Sequence, residues 1–148
     1  MENNFFNENF EIVTRRLVLP RDLNGHGNLY GGSMLSWIDE SSYLYAIEKI
    51  GYSNMVTVSL ENVRFRSPAK MGDSVIILCR IHQIKSSSIT IQTKAIVHDT
   101  KFNQISEIID CFITFVCLKE GKPYAYFKTE EFKTKFNPKD INDLLIKY

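Results

Sequence analysis

The sequence predicts an α+β domain in which an antiparallel sheet of about five strands wraps around one long, buried helix. Two patterns predict this fold. One helix-forming stretch, from about Gly32 to Ile50, occurs early in the chain, and segments of alternating or β-branched apolar residues follow it as far as residue 118. The length of 148 residues suits a single domain, which buries about 70% of the surface that its unfolded chain exposes.

The elements before residue 52 can be placed in order. A first strand is expected around Ile12–Leu19, and Pro20 closes it. The loop over residues 21–32 holds four of the seven glycines, a density that permits positive φ angles. Apolar residues then extend around most of the helix circumference, which predicts a helix buried on nearly all sides. Gly51 stands where a glycine commonly ends a helix.

Strand signals follow the helix in succession. Val56, Val58 and Leu60 alternate with polar residues, but the phase slips at Glu61–Asn62, which predicts a β-bulge. Further strands are expected over residues 75–84, 89–97 and 105–118. After Gly121 the chain is rich in Lys and Phe and irregular, and Asn137–Pro138 indicates the start of a short terminal helix.

We therefore expect one domain over residues 1–148, with its core at about 12–118. The C-terminal tail, residues 121–148, receives no role from the sequence. No internal repeat and no linker interrupts the chain, so a second domain is not expected.

Composition excludes several classes of function. The chain has 18 Lys and Arg residues and 17 Asp and Glu residues, a net charge of +1. The usual electrostatic reason to propose nucleic acid or a membrane surface as partner is therefore missing. The N-terminal residues lack the pattern of a signal peptide, and no apolar run approaches the ~20 residues of a membrane helix.

The cysteines and histidines give no sign of metal or redox chemistry. The three cysteines, Cys79, Cys111 and Cys117, lie in apolar strand-like segments without C-x-x-C spacing. This pattern predicts buried, reduced thiols and a cytoplasmic protein. His26, His82 and His98 lack the spacing of metal ligands. Dinucleotide and phosphate-loop motifs are absent from the sequence. We expect neither a metal nor a cofactor.

Two groups on or before the helix could carry chemistry. Asp39 lies seven residues after Gly32, two turns or roughly 10 Å along the helix, and an unpaired buried carboxylate is costly unless it has a function. Asp39 is thus a candidate general base or nucleophile, unless it and Glu40 face solvent or an ion pair. Gly31–Gly32 would present free N–H groups that bind an anion or polarise a carbonyl.

The loop before the helix supplies two polar side chains, Asn24 and His26. Either could orient water or a substrate carbonyl. Local hydrogen bonding within a turn is the alternative, and it is the commoner role of such residues.

These residues also carry a family resemblance. The loop and the helix that follows it resemble the hotdog-fold acyl-CoA thioesterases, and in particular the broad-range bacterial acyl-CoA hydrolases, whose domain is duplicated in vertebrate cytosolic acyl-CoA hydrolases. The matching motifs are Asn24-x-His26-Gly27-Asn28-x-x-Gly31-Gly32 and Trp37-Ile38-Asp39-Glu40. The likeness extends over roughly residues 12–118, through Val56–Ser59 and Val63-Arg64-Phe65-x-x-Pro68.

The resemblance implies hydrolysis of acyl-CoA to a free acid and coenzyme A, which is substrate and product rather than cofactor. Asp39 would act as general base or nucleophile, the Gly32 amide would polarise the thioester carbonyl, and Asn24 would come from the neighbouring subunit. The resemblance also implies a homodimer, often assembled further into a hexamer. Coenzyme A would contact two short segments, Val58, Ser59 and Leu60, and Ser87, Ser88 and Ile89.

The phosphates of coenzyme A need local cations, because the chain as a whole is nearly neutral. The candidates are Arg64, Arg66, Lys70 and Lys85. Two other functions compete with hydrolysis. One is an acyl-CoA-binding sensor without turnover, and the other is a hydroxyacyl-thioester dehydratase, whose His and acid are placed differently from His26 and Asp39.

Overall fold

The computed structural model describes residues 9–135. The elements are β1 (Glu11–Leu17), α1 (Gly31–Ile50), β2 (Met55–Phe65), β3 (Ser74–Ile84), β4 (Ser88–Asp99), β5 (Gln104–Lys119), β6 (Lys122–Pro123) and α2 (Glu130–Lys135). The strands form one antiparallel sheet in the order β1-β3-β4-β5-β2, and β6 pairs with the end of β5. The predicted combination of an antiparallel sheet with one long helix is confirmed. The first strand ends two residues earlier than expected, at Leu17, and a 3-10 turn follows at Pro20–Asp22.

The helix α1 ends as the sequence predicts. Gly51 adopts a left-handed conformation with φ of 67°, and its N–H donates to the carbonyl of Ile47 at 2.8 Å. Glycine takes this conformation without the steric cost that a Cβ would add.

The expectation that α1 is buried on nearly all sides is wrong. The sheet covers one side of the helix, and the opposite side is an outward face because one chain supplies no second layer to cover it. The exposed residues of this outward face are Gly32, Ser36, Asp39, Glu40, Leu44 and Glu48.

The core lies between α1 and the inner side of the sheet. It includes fully buried side chains from the three central strands, among them Ile77, Ile91 and Ile113. A hydrogen bond of 2.7 Å joins the hydroxyls of Ser42 on α1 and Thr93 on β4 within this core. Both residues are buried, and the Thr93 hydroxyl also lies 3.6 Å from the Cys79 thiol, so these groups find their partners in one another rather than in water.

The strand β2 forms an edge of the sheet and is interrupted twice. The predicted bulge near Glu61–Asn62 is confirmed, with Asn62 at a φ of 52°. A second register shift, between Thr57 and Ser59, was not predicted. β2 also exposes apolar side chains along the edge, including Val56 at 43% and Val58 at 53%.

The chain after β6 packs more regularly than its composition indicates. Tyr126 is fully buried, and its hydroxyl donates to the carbonyl of Ile50 at 2.6 Å. The Lys135 ammonium donates to the Gly51 carbonyl at 3.1 Å, so both groups satisfy carbonyls at the end of α1. The helix expected from Asn137–Pro138 lies outside the described residues. Among residues 9–135, no helix has the length and apolarity needed to span a membrane.

Candidate active site

The loop before α1 fixes the orientation of Asn24. The Asn24 Oδ1 atom accepts the backbone N–H groups of His26 at 2.9 Å and Asn28 at 3.2 Å. This is the local turn bonding that the sequence left open as an alternative. It engages only the oxygen of the amide, and within residues 9–135 Nδ2 makes no hydrogen bond. Asn24 can therefore keep its turn and still donate to a ligand.

The N-terminus of α1 has no side-chain cap. Tyr30 precedes the helix in an extended conformation without a capping bond, and the first bond of the helix runs from the Met34 N–H to the Tyr30 carbonyl. The first turn contains no acidic residue. The amides of Gly31 and Gly32 consequently lie at the positive end of a 20-residue helix with no acceptor among the described residues.

A cavity of about 400 Å³ adjoins this N-terminus. Asn24 and Gly31 both line it, so the structure brings together the loop amide and the start of the helix. The other side is formed by the end of β2 and the chain that follows it, where Phe65 approaches Gly31 closely enough to lie 3.5 Å from a Cβ built there. Asp39 does not line this cavity.

The two carboxylates on α1 have different partners. Glu40 forms an ion pair with Arg16 at 2.6 Å, and the same guanidinium lies over the ring of Trp37. Asp39 is exposed and accepts a hydrogen bond of 2.7 Å from the hydroxyl of Thr57 on β2. The ion-pair alternative therefore applies to Glu40. The solvent-facing alternative applies to Asp39 in the single chain, where among residues 9–135 its carboxylate contacts a neutral hydroxyl and no cation.

Thr57 is a site residue that the sequence analysis did not single out. It lies within the Val56–Ser59 segment that carried part of the resemblance, but its contact with Asp39 depends on how β2 aligns with α1. Thr57 pairs with Phe115, whose side chain is fully buried, and this register turns the Thr57 side chain towards the helix. The unpredicted bulge at Val58 begins directly after it.

The residues expected to contact coenzyme A fall into two places. Ser59 and Ser88 line one cavity of about 340 Å³ on the outer side of the sheet, together with His82 and Lys85. Val58 and Leu60 are exposed on the edge strand, at 53% and 37%. The structure thus brings parts of β2 and of the turn after β3 to one polar cavity.

The remaining expected contacts differ in accessibility. Ser87 lies in the turn before β4, where its carbonyl accepts the N–H of Cys117. The Ile89 side chain is fully buried in the core, so it has no surface for a ligand. Arg64 is exposed and makes no ion pair within residues 9–135, while Arg66 is engaged by Asp110 at 2.9 Å.

The thiols do not form a nucleophilic site. Burial raises the pKa of Cys79 and of Cys117 to about 11, and that of Cys111 to about 12. All three are buried and unpaired, as the sequence predicts. Thiols with such pKa values are almost entirely protonated at neutral pH and react poorly as nucleophiles.

A single helix held against an antiparallel sheet, with an uncapped N-terminus beside a cavity, defines the class of hotdog-fold proteins. Residues 26–101 match the family model of the thioesterase superfamily. The chain belongs to this superfamily and is a thioester hydrolase.

Relatives and solved structures agree with this assignment. The chain is 29% identical over 119 residues to the acyl-CoA thioester hydrolase YciA of Escherichia coli, covering 78% of this chain and 89% of that protein. The hexameric thioesterase y2039 of Yersinia pestis superposes with a TM-score of 0.72 at 31% identity, over 79% of this chain and 95% of that one. An acyl-CoA hydrolase of Staphylococcus aureus, solved with butyryl-CoA and coenzyme A, gives a TM-score of 0.70 at 29% identity, over 76% of this chain and 68% of that one.

Proposed function

We propose that this protein hydrolyses acyl-CoA thioesters to a carboxylic acid and coenzyme A. The observation that carries the proposal is the pairing of a donor, Asn24 Nδ2, with the uncapped start of α1 at one cavity. Asp39 supplies the carboxylate that such a reaction needs. The relatives that are named as acyl-CoA hydrolases supply the substrate class.

Two chains form each site in this proposal. Gly32 and Asp39 are seven residues apart on α1, about 10 Å along the helix axis, which is too far for both to act on one thioester carbon. A second copy whose helix runs antiparallel to the first would place its Asp39 beside the first copy's Gly32 and Asn24. Dimerisation would also cover Leu44, which is 52% exposed on the outward face of α1.

The free edge of β2 supports the same assembly. An unpaired edge with apolar side chains favours pairing with another strand, and the second copy of β2 is the natural partner in a two-fold dimer. We further propose that dimers assemble into a hexamer, since y2039 is described as hexameric.

In the reaction, the thioester carbonyl oxygen accepts the Gly32 N–H, so the helix N-terminus stabilises negative charge that develops on that oxygen. Asp39 then either removes a proton from the attacking water or attacks the carbonyl carbon itself. In the second route water later cleaves the anhydride. In both routes the carbon–sulfur bond breaks, and coenzyme A leaves as a thiolate that takes up a proton. Asn24 Nδ2 donates to the substrate or to the nucleophile and holds the reactants in place.

Coenzyme A binds along β2 and the turn before β4. We assign its pantetheine arm to the main chain of Val58, Ser59 and Leu60, and its nucleotide to Ser87 and Ser88. At Ile89 only the main chain can contribute, because its side chain is in the core. Arg64 supplies a cation for phosphate, since it is exposed and has no ion pair within the described residues.

The proposed chemistry uses only the side chains, the helix N-terminus and water, and therefore no cofactor or metal. We also propose a cytoplasmic location, because the buried, unpaired thiols suit a reducing compartment. Nucleic acid and membrane surfaces play no part in this function.

The test is release of free coenzyme A thiol from acyl-CoAs of two to sixteen carbons. Asp39→Asn removes the carboxylate with little change in size, and we expect it to abolish nearly all turnover. Glu40→Gln is the matched control on the next residue, and we expect turnover close to wild type because Glu40 pairs with Arg16. If the wild type shows no turnover but still binds coenzyme A, the protein is an acyl-CoA-binding sensor rather than a hydrolase.

Mixed oligomers test the shared site. Asn24→Ala alone should lower kcat about a hundredfold, as the loss of one oriented polar group does in such sites. A dimer of one Asp39→Ala chain and one Asn24→Ala chain contains one intact site if the halves come from different chains. Random reassortment should then restore about a quarter of wild-type activity. No restoration would place both residues of a site on one chain.

A further inference from the structure

The cavity at the start of α1 has a polar mouth and an apolar floor. Phe65, at 56% exposure, lies at the mouth with Asn24 and Gly31. The floor consists of buried apolar residues, Leu29 at 8%, Met34 at 1%, Ala69 at 1% and Ile108 at 3%. The volume of about 400 Å³ lies in the lower part of the range for small-molecule pockets.

We propose, on the basis of the hydrolysis proposed above, that this cavity receives the acyl chain and that Met34 sets the longest chain it holds. The uncapped helix N-terminus fixes the thioester carbonyl at the mouth. The charged nucleotide of coenzyme A cannot enter an apolar cavity without a large desolvation cost. The hydrocarbon on the other side of the carbonyl is the part of the substrate that matches the floor.

The position of Met34 supports this assignment. Gly31 and Met34 are three residues apart and therefore lie on the same side of the helix, one at the mouth and the other at the floor. The backbone of Met34 is held by the first hydrogen bond of α1, to Tyr30. A chain that enters beside Gly31 meets the Met34 side chain one turn deeper.

The arginine at the mouth of the cavity does not make the cavity a binding site for an anion. Arg66 also lines the cavity, but its guanidinium is already engaged by Asp110 at 2.9 Å and by Glu107 at 3.3 Å. A neutral hydrocarbon suits this cavity better than a fatty acid carboxylate or a phosphate. The substrate class is therefore aliphatic acyl groups, with an upper length set by the floor.

Binding of S-alkyl-CoA thioethers tests the inference without turnover, because a thioether cannot be hydrolysed. Calorimetry over alkyl chains of two to sixteen carbons should show affinity that rises about fourfold for each added methylene. The rise should stop at the chain length that reaches Met34, and we call this length the plateau. In Met34→Ala the plateau should move to chains about two or three carbons longer, because the truncation opens the floor.

Two further variants control for packing and stability. Met55 is also buried, at 8%, but does not line the cavity, so Met55→Ala makes the same truncation and should leave the plateau unmoved. Ala69→Val adds bulk to the floor and should move the plateau to shorter chains. This variant tests the inference even if Met34→Ala does not fold.

The outcomes separate this inference from the proposed hydrolysis. An unchanged plateau in both floor variants, or an equal shift in Met55→Ala, would overturn the role of the cavity even if the wild type hydrolyses acyl-CoA. If the wild type shows no turnover but the plateau moves as expected in the floor variants, the acyl pocket is supported and the proposed hydrolysis is refuted.

Discussion

The hydrogen bond from Thr57 to Asp39 gives a prediction that can be worked from the structure. Thr57→Val keeps the β-branched shape of the side chain but removes the hydroxyl that lies 2.7 Å from Asp39 Oδ1. Hydrogen bonds to charged groups contribute about 1.5–3 kcal/mol. Because this bond is exposed in the single chain, the lower value applies, and it corresponds to about a tenfold fall in kcat.

The assay is thiol release at saturating acyl-CoA, with kcat and KM measured separately. Thr57 positions the carboxylate and makes no contact with coenzyme A in our proposal, so kcat should fall while KM stays within about twofold of wild type. Thr57→Ser retains the hydroxyl and should recover most of the lost kcat. Thermal unfolding of each variant shows whether the fold is intact.

Two results would refute this reasoning. One is a Thr57→Val enzyme whose kcat lies within twofold of wild type, which would mean that Asp39 needs no orientation from β2. The other is an equal loss in Thr57→Ser and Thr57→Val, which would assign the effect to packing on the edge strand rather than to the hydroxyl.

Three further predictions concern stability and reactivity. Thr93→Val removes the buried hydroxyl that contacts both the Ser42 hydroxyl and the Cys79 thiol, and it should cost about 1–3 kcal/mol in denaturant unfolding. Adding Ser42→Ala should recover part of the loss in a double-mutant cycle. Tyr126→Phe removes the donor to the Ile50 carbonyl but keeps the ring packing; we expect a loss of about 1–2 kcal/mol, and an unchanged unfolding midpoint would contradict it. At pH 8 less than about one in a hundred thiols should be thiolate, because the pKa values of Cys79, Cys111 and Cys117 are raised. A thiol-specific reagent should therefore label the native protein only as fast as the protein unfolds. Rapid stoichiometric labelling would count against the raised pKa values.

Local signals were sufficient for much of the fold. Gly51 marked the end of α1 because a left-handed helix end strongly favours glycine, and the alternation after Ile89 marked β4 because one side of that strand is buried. The slip at Glu61–Asn62 showed its bulge because it interrupts the alternation of apolar and polar residues along β2. These features depend only on neighbours in the sequence.

Features that depend on contacts between residues distant in the sequence were either missed or predicted wrongly. The outward face of α1 carries apolar Leu44, so the sequence showed apolarity but not which surface covers it. The Thr57–Asp39 bond depends on the alignment of β2 with α1. The packing of Tyr126 under the end of α1 joins residues 76 positions apart, and composition cannot indicate such a contact.

The order of strands in the sheet also governs how the protein is made. Among the strands of residues 9–135, β2 hydrogen-bonds only to β5, although β3 and β4 lie between them in the chain. On the ribosome β3 and β4 can pair as a hairpin once both have emerged, while the backbone of β2 stays unpaired until β5 is synthesised. Long-range pairing of this kind is slow, and unpaired edges aggregate. The nascent chain is therefore most vulnerable between the synthesis of β2 and that of β5, and chaperone protection matters most in that interval.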